Sequence, residues 1–261
     1  MNFTHQNLTF HFEAAGAGLP LLLIHGYPLG CQMWLPQING LRHACRVIAP
    51  DLRGFGASQA SSGPVAMDTF ADDCAALLDH LEIEQAALCG LSMGGYIAFA
   101  FWRKYPQRVS RLILAATRAL PDSAETAENR LKAAALAEKE GAEAIARAML
   151  PKMLSPITQA EHPERTAQVK AIMLEASVAG IVGALLGMRQ RPDSTPTLPT
   201  IGVPALIIRG DDDPFAPLEE AEAMSKAMPQ ARLARIAQAA HLPNLEQPEI
   251  FNRLLGEFMA Q

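Results

Sequence analysis

Cys89-Gly90-Leu91-Ser92-Met93-Gly94-Gly95 is the stretch from which the rest of the chain can be read. A short apolar run, Ala86-Ala87-Leu88-Cys89, leads into it, and a helical pattern from Ser92 to Lys104 follows until Pro106 forbids its continuation. A serine on a sharp strand-to-helix turn projects its hydroxyl out of the sheet. Glycines on either side leave room for the strained backbone and the close-packed helix. A helix start also brings partial positive charge to the place where an oxyanion would form. The bare Gly-x-Ser-x-Gly pattern is weak, because glycine and serine are common residues. Its position between a strand and a helix makes Ser92 a candidate nucleophile.

Working outward from the motif, apolar runs alternate with helical patterns, which predicts βαβ units and a parallel sheet. Leu8 to Ala15 alternates in the manner of an edge strand, and Leu21 to Ile24 reads as a central strand buried on both faces. Arg46 to Ala49 and Arg111 to Ala115 are further strands, and Asp68 to Leu81 is helical. Between Arg118 and Leu198 no strand is evident. Four helical patterns occupy that segment, the second stopped by Pro151. The alternation resumes with strands at Val203 to Ile208 and Arg232 to Ile236, and a closing helix covers Pro248 to Met259. The whole reads as an α/β core with a helical insertion.

A serine hydroxyl is a poor nucleophile until a base takes its proton. Of the seven histidines, His241 lies in a loop after the last strand, at the end of the sheet where open α/β folds place their chemistry. His5, His11, His43, His80 and His162 have no partner motif, and His25 reads as a structural support of its own loop. The base needs an acid to hold its tautomer. Asp211-Asp212-Asp213 follows a strand, so composition leaves three choices, with Asp122 as an outside candidate. A tetrahedral intermediate also needs backbone donors. Met93, next to the nucleophile, supplies one, and the loop His25-Gly26-Tyr27-Pro28 supplies the other through the N–H of Tyr27.

Composition removes several other classes. The net charge is −5 over 261 residues, which is no footprint for nucleic acid. No basic-then-apolar leader or membrane-length apolar run is visible, so a cytoplasmic protein without a membrane partner is expected. Cys31, Cys45, Cys74 and Cys89 match no metal or redox spacing and read as buried thiols. We therefore expect no metal and no cofactor, and composition leaves the oligomeric state open.

The ordered set of motifs resembles the α/β-hydrolase-fold serine hydrolases over nearly the whole chain. The motifs are His25-Gly26-Tyr27-Pro28, Asp51-Leu52-Arg53-Gly54-Phe55-Gly56, the Ser92 pentapeptide, Gly210-Asp211-Asp212-Asp213-Pro214 and His241 to Pro248. The likeness extends to small bacterial carboxylesterases, haloperoxidase-type esterases and 3-oxoadipate enol-lactonases. Ala240 departs from the glycine many relatives carry before the histidine. The resemblance implies a mostly parallel sheet with helices on both faces. It implies a core of residues 1–117 and 199–261, with a helical cap of residues 118–198 between strands six and seven. In the family pattern Gly-x-x-Asp the fourth residue carries the acid, which selects Asp213. The implied triad is Ser92, Asp213 and His241, acting through an acyl-enzyme on small to medium apolar esters. An apolar pocket is expected, with Trp34, Tyr96, Met149, Met153, Met173 and Met188 as candidate lining. A lactonase, a carbon–carbon hydrolase and an aminopeptidase use the same triad. The aminopeptidase would need a cap carboxylate such as Glu138, Glu143 or Glu175. A small-molecule receptor of the same fold is the alternative outside enzymes.

Overall fold

Continuous apolar runs become the centre of the sheet because both faces of each strand are covered. In the computed structural model, which describes residues 1–261, one eight-stranded sheet organises the chain. Its strands are β1 (Asn2–His5), β2 (Leu8–Ala15), β3 (Pro20–Ile24), β4 (Arg46–Pro50), β5 (Ala86–Leu91), β6 (Val109–Ala115), β7 (Ala205–Gly210) and β8 (Ala231–Ile236). The order is β1-β2-β4-β3-β5-β6-β7-β8. Pairing is antiparallel from β1 to β4 and parallel from β4 onward.

Strand side chains alternate between faces with a period of two. Leu22 and Ile24 accordingly join one hydrophobic cluster, and Leu21 and Leu23 the other. The first cluster is covered by α2 (Met67–His80), α3 (Met93–Lys104) and α8 (Leu218–Ala227), through residues such as Phe70, Ile97 and Met224. The second is covered by α1 (Leu35–Leu41) and α10 (Pro248–Met259), through Ile38, Leu41, Phe251 and Leu255. A short helix, α9 (Pro243–Glu246), precedes α10. No single helix is long and apolar enough to cross a membrane. All four cysteines are free and buried.

Leu8–Ala15 is not the sheet edge that its alternation predicts. β1 pairs outside it through a two-residue turn at Gln6 and Asn7, with φ of 50° and 62°. Positive φ at both turn residues suits a tight hairpin. The strand escapes a sequence reading because Asn2–His5 is short and Gln-Asn is a weak turn signature.

The segment between β6 and β7 is helical throughout: α4 (Ala124–Met153), α5 (Pro156–Glu161), α6 (Pro163–Leu174) and α7 (Val178–Arg189). Ser123, Ser155 and Ser177 cap α4, α5 and α7 by accepting from N–H groups three residues on. α4 bends at Gly141, where φ is 77° and ψ −172°. Pro151 does not stop this helix as its sequence suggests. The helix ends two residues later at Met153, and its last carbonyls find partners elsewhere: Pro151 O accepts from Gln159 Nε2 and Met153 O from the His241 N–H, each at 3.1 Å. α7 docks on the core through Gly180, whose missing side chain lets Gly54 backbone pack directly against it. The Val65 N–H donates to Gly183 O at 2.9 Å on the same face.

Candidate active site

β5 ends at Leu91 and α3 begins at Met93, so Ser92 alone makes the turn. Its φ of 56° and ψ of −114° form a backbone conformation that L residues avoid, at a cost on the order of 1–3 kcal/mol. The surroundings enforce it. Ser92 N–H donates to Ala115 O at 2.9 Å, and the Thr117 hydroxyl donates to Ser92 O at 2.8 Å. A methyl group at Gly94 would collide with the carbonyls of Ile24 and His25, and one at Gly90 with the Gly94 backbone. The glycines of the pentapeptide are there because strand, turn and helix pack at backbone contact.

The Ser92 hydroxyl donates to Nε2 of His241 at 2.9 Å. On the far side of the ring, Nδ1 lies 3.0 Å from each carboxylate oxygen of Asp213. A carboxylate only accepts, so Nδ1 carries the proton and Nε2 is left free to accept. Asp213 and His241 are both buried, and the Phe215 ring stands edge-on to the imidazole with centroids 4.8 Å apart. Asp213 Oδ1 also accepts from the N–H groups of Phe215 (2.8 Å) and Ala216 (3.3 Å). Arg209 Nε in turn holds Ala216 O at 2.8 Å.

The three-aspartate ambiguity resolves by position. Asp211 pairs with Arg235 at 2.7 Å, and Asp212 is exposed. Asp122 belongs to a separate cluster, binding Arg130 and, at 2.5 Å, Arg191. Burial alone would raise the Asp122 pKa, but the hydrogen bonds and charges of those two guanidiniums outweigh it and hold the carboxyl below its ordinary value.

His25 is fully buried. Its Nδ1–H donates to Gly26 O at 2.9 Å, and its Nε2 accepts from the Leu52 N–H at 3.0 Å. Burial lowers its pKa, so the ring braces the loop as a neutral imidazole. The Asp51 carboxylate ties the same region together by accepting from Cys31 N–H at 2.6 Å and Ala57 N–H at 3.0 Å. The Tyr27 N–H on this braced loop has no acceptor within the protein. Met93 opens α3, and the first N–H groups of a helix lack intrahelical partners.

Ser92 and His241 open into a cavity of about 400 Å³ lined in part by α4 and α7. The bend in α4 lets both halves of that helix face it. Leu136 lies before Gly141, and Ile145 and Met149 lie after it. Tyr96 and Met188 also line the cavity, as their sequence positions suggest. Trp34, Met153 and Met173 do not. Trp34 packs against Phe251 with ring centroids 6.1 Å apart, and Met153 and Met173 are buried in the second hydrophobic cluster. Helical spacing marks an apolar face without saying which neighbour covers it. The cavity is also less apolar than expected, since Arg118, Arg130, Thr126 and Asn129 form part of its wall. Glu138, Glu143 and Glu175 are elsewhere: Glu175 accepts from Gln32, Glu143 pairs with Lys170, and Glu138 is exposed.

Glu246 is a residue whose role the sequence left unread. It is buried, its Oε1 accepts from the Ala240 N–H and its Oε2 from the Ser155 N–H, both at 2.7 Å. One carboxylate thus ties the loop carrying His241 to the start of α5. The Glu-Gln-Pro of the final motif was the only sequence signal for it.

The chain is similar to known proteins over most of its length. The alpha/beta hydrolase fold family matches residues 20–248. 3-Oxoadipate enol-lactonase 2 of Acinetobacter baylyi is 30% identical, covering 98% of this chain and 95% of its own. Among solved structures, a thermophilic esterase from Thermogutta terrifontis superposes with a TM-score of 0.95 at 44% identity, over 97% of this chain and 93% of that one. The enol-lactonase from Burkholderia xenovorans LB400 superposes with a TM-score of 0.94 at 28% identity, over the full length of both chains.

Proposed function

The chain belongs to the alpha/beta hydrolase fold family, and on that footing we propose that it is a serine hydrolase cleaving carboxylic esters through an acyl-enzyme. The observation that carries this reading is the hydrogen-bonded series from Ser92 Oγ through His241 to the buried Asp213. In the first stage Ser92 Oγ attacks the ester carbonyl carbon and its proton passes to His241 Nε2. Asp213 holds the ring and offsets the charge of the imidazolium. The N–H groups of Tyr27 and Met93 receive the oxyanion. Collapse breaks the bond to the alcohol oxygen, which leaves with the proton from Nε2. Water then attacks the acyl carbon, gives its proton to Nε2, and the acid departs as Ser92 recovers its hydrogen.

A lactone is an ester closed on itself, so the same steps open one and leave the alcohol tethered to the acyl group. The two enol-lactonases among the relatives favour keeping lactones in the substrate screen. The test is hydrolysis of short-chain nitrophenyl esters by purified protein, with mass mapping of a fluorophosphonate adduct. Turnover should fall by at least about 1,000-fold in Ser92→Ala, and the adduct should map to Ser92. Wild-type activity no higher than that of Ser92→Ala would refute the reading and favour a receptor.

A further inference from the structure

The cavity wall is mixed in character. Leu136, Met149, Leu185 and Met188 make an apolar wall, whereas Arg118, Arg130 and Asn129 bring hydrogen-bond donors to the same space. Around those arginines, three guanidiniums share two carboxylates: Arg118, Arg130 and Arg191 face Asp122 and Glu220. The sharing is uneven. Asp122 is taken by Arg130 and Arg191 at hydrogen-bond range, while Arg118 stands 3.7 Å from Asp122 and 3.6 Å from Glu220. Those separations are too long for hydrogen bonds. Arg118 Nε has no hydrogen-bond partner, and neither has the hydroxyl of Tyr27, a residue 94% buried on the cavity wall. Buried donors without acceptors are costly, and most proteins avoid them. Both residues belong to the wall of the space that contains Ser92. Arg118 follows Thr117, whose hydroxyl holds the Ser92 carbonyl, and Arg118 and Ser92 line the same cavity.

Resting on the ester-hydrolase reading, we infer that this cavity selects esters bearing a second, ionised carboxylate, and that Arg118 receives that carboxylate. Arginine remains protonated at any working pH, and its fork of N–H donors matches a carboxylate geometrically. The bound anion gives the Arg118 guanidinium a carboxylate at hydrogen-bond range, closer than Asp122 or Glu220 stands. The methylene chain between the two carboxyl groups lies along the apolar wall, with the ester carbonyl at Ser92.

The test compares ethyl hydrogen glutarate with ethyl pentanoate, matched in chain length, by pH-stat titration. The wild-type kcat/KM should favour the monoester by about tenfold or more, the scale of one hydrogen bond to a charged group. Arg118→Gln should remove most of that ratio, chiefly through KM. A second measurement reads binding without turnover. Calorimetry on Ser92→Ala should find ethyl hydrogen glutarate bound about tenfold or more tighter than ethyl pentanoate. Equal wild-type rates for the two esters, or a ratio unchanged in Arg118→Gln, would overturn the inference while leaving the ester-hydrolase reading intact. Selective binding of the monoester by Ser92→Ala in a protein whose wild type hydrolyses neither ester would do the reverse.

Discussion

Replacing Asp213 with asparagine tests the site at the level of a single proton. The carboxylate is held from two sides. Oδ1 accepts from Phe215 N–H at 2.8 Å and Ala216 N–H at 3.3 Å, and both oxygens lie 3.0 Å from His241 Nδ1. An asparagine amide must keep its oxygen at the Oδ1 position, because an NH₂ there would face two backbone donors in a buried place. Its NH₂ then occupies the Oδ2 position and points at Nδ1. The imidazole responds by turning Nδ1 into the acceptor and moving its proton to Nε2. Nε2 then donates toward Ser92 Oγ and has no lone pair to take its proton. The shape of the site survives and the tautomer is wrong. In a serine protease the equivalent change costs about 10,000-fold in kcat, or about 5 kcal/mol of barrier, and a loss of the same order is expected here. Steady-state hydrolysis of a nitrophenyl ester measures it, with a thermal melt to confirm folding. Asp212→Asn, an exposed position with no tie to the imidazole, should remain within about twofold, as surface changes usually do. If folded Asp213→Asn keeps more than a tenth of wild-type kcat, or Asp212→Asn loses more, the tautomer argument is wrong.

The remaining expectations concern the supports of the site. Glu246→Gln turns one acceptor into a donor facing either the Ala240 or the Ser155 N–H, so urea unfolding should show a loss of about 1–3 kcal/mol. A lower kcat should accompany it, because the His241 loop loses its tie to the start of α5. Asp122→Asn leaves Arg118, Arg130 and Arg191 facing each other without their shared carboxylate, and should cost about 3 kcal/mol at neutral pH. The Asp122 pKa is lowered in the folded state, so its stabilisation is complete above the unfolded value of about 3.9 and is lost as pH falls through the folded value. The stability gap between wild type and Asp122→Asn should therefore shrink below about pH 4. A gap independent of pH from 7 to 3 in urea titrations would contradict the assignment.

The sequence by itself was enough for the fold class, the serine turn and the order of the chemical motifs. Each of these is a local property: a strand must precede Ser92, a helix must follow it, and only glycine tolerates the backbone contact at positions 90 and 94. The choice of Asp213 among three neighbours needed a family resemblance, because adjacent aspartates differ only in which way they face once folded. The tertiary structure decided that, burying Asp213 against His241 and leaving Asp212 exposed. It also decided the cavity wall. Trp34, Met153 and Met173 are as apolar as Tyr96, Met149 and Met188, yet they face the core, because the packing of α4, α6 and α10 determines which side chains meet an empty space. Arg118 and Glu246 were illegible for the same reason. A charge announces itself in sequence, but whether it is satisfied depends on partners brought from far along the chain. Here 91 residues separate Glu246 from Ser155, and 102 separate Glu220 from Arg118.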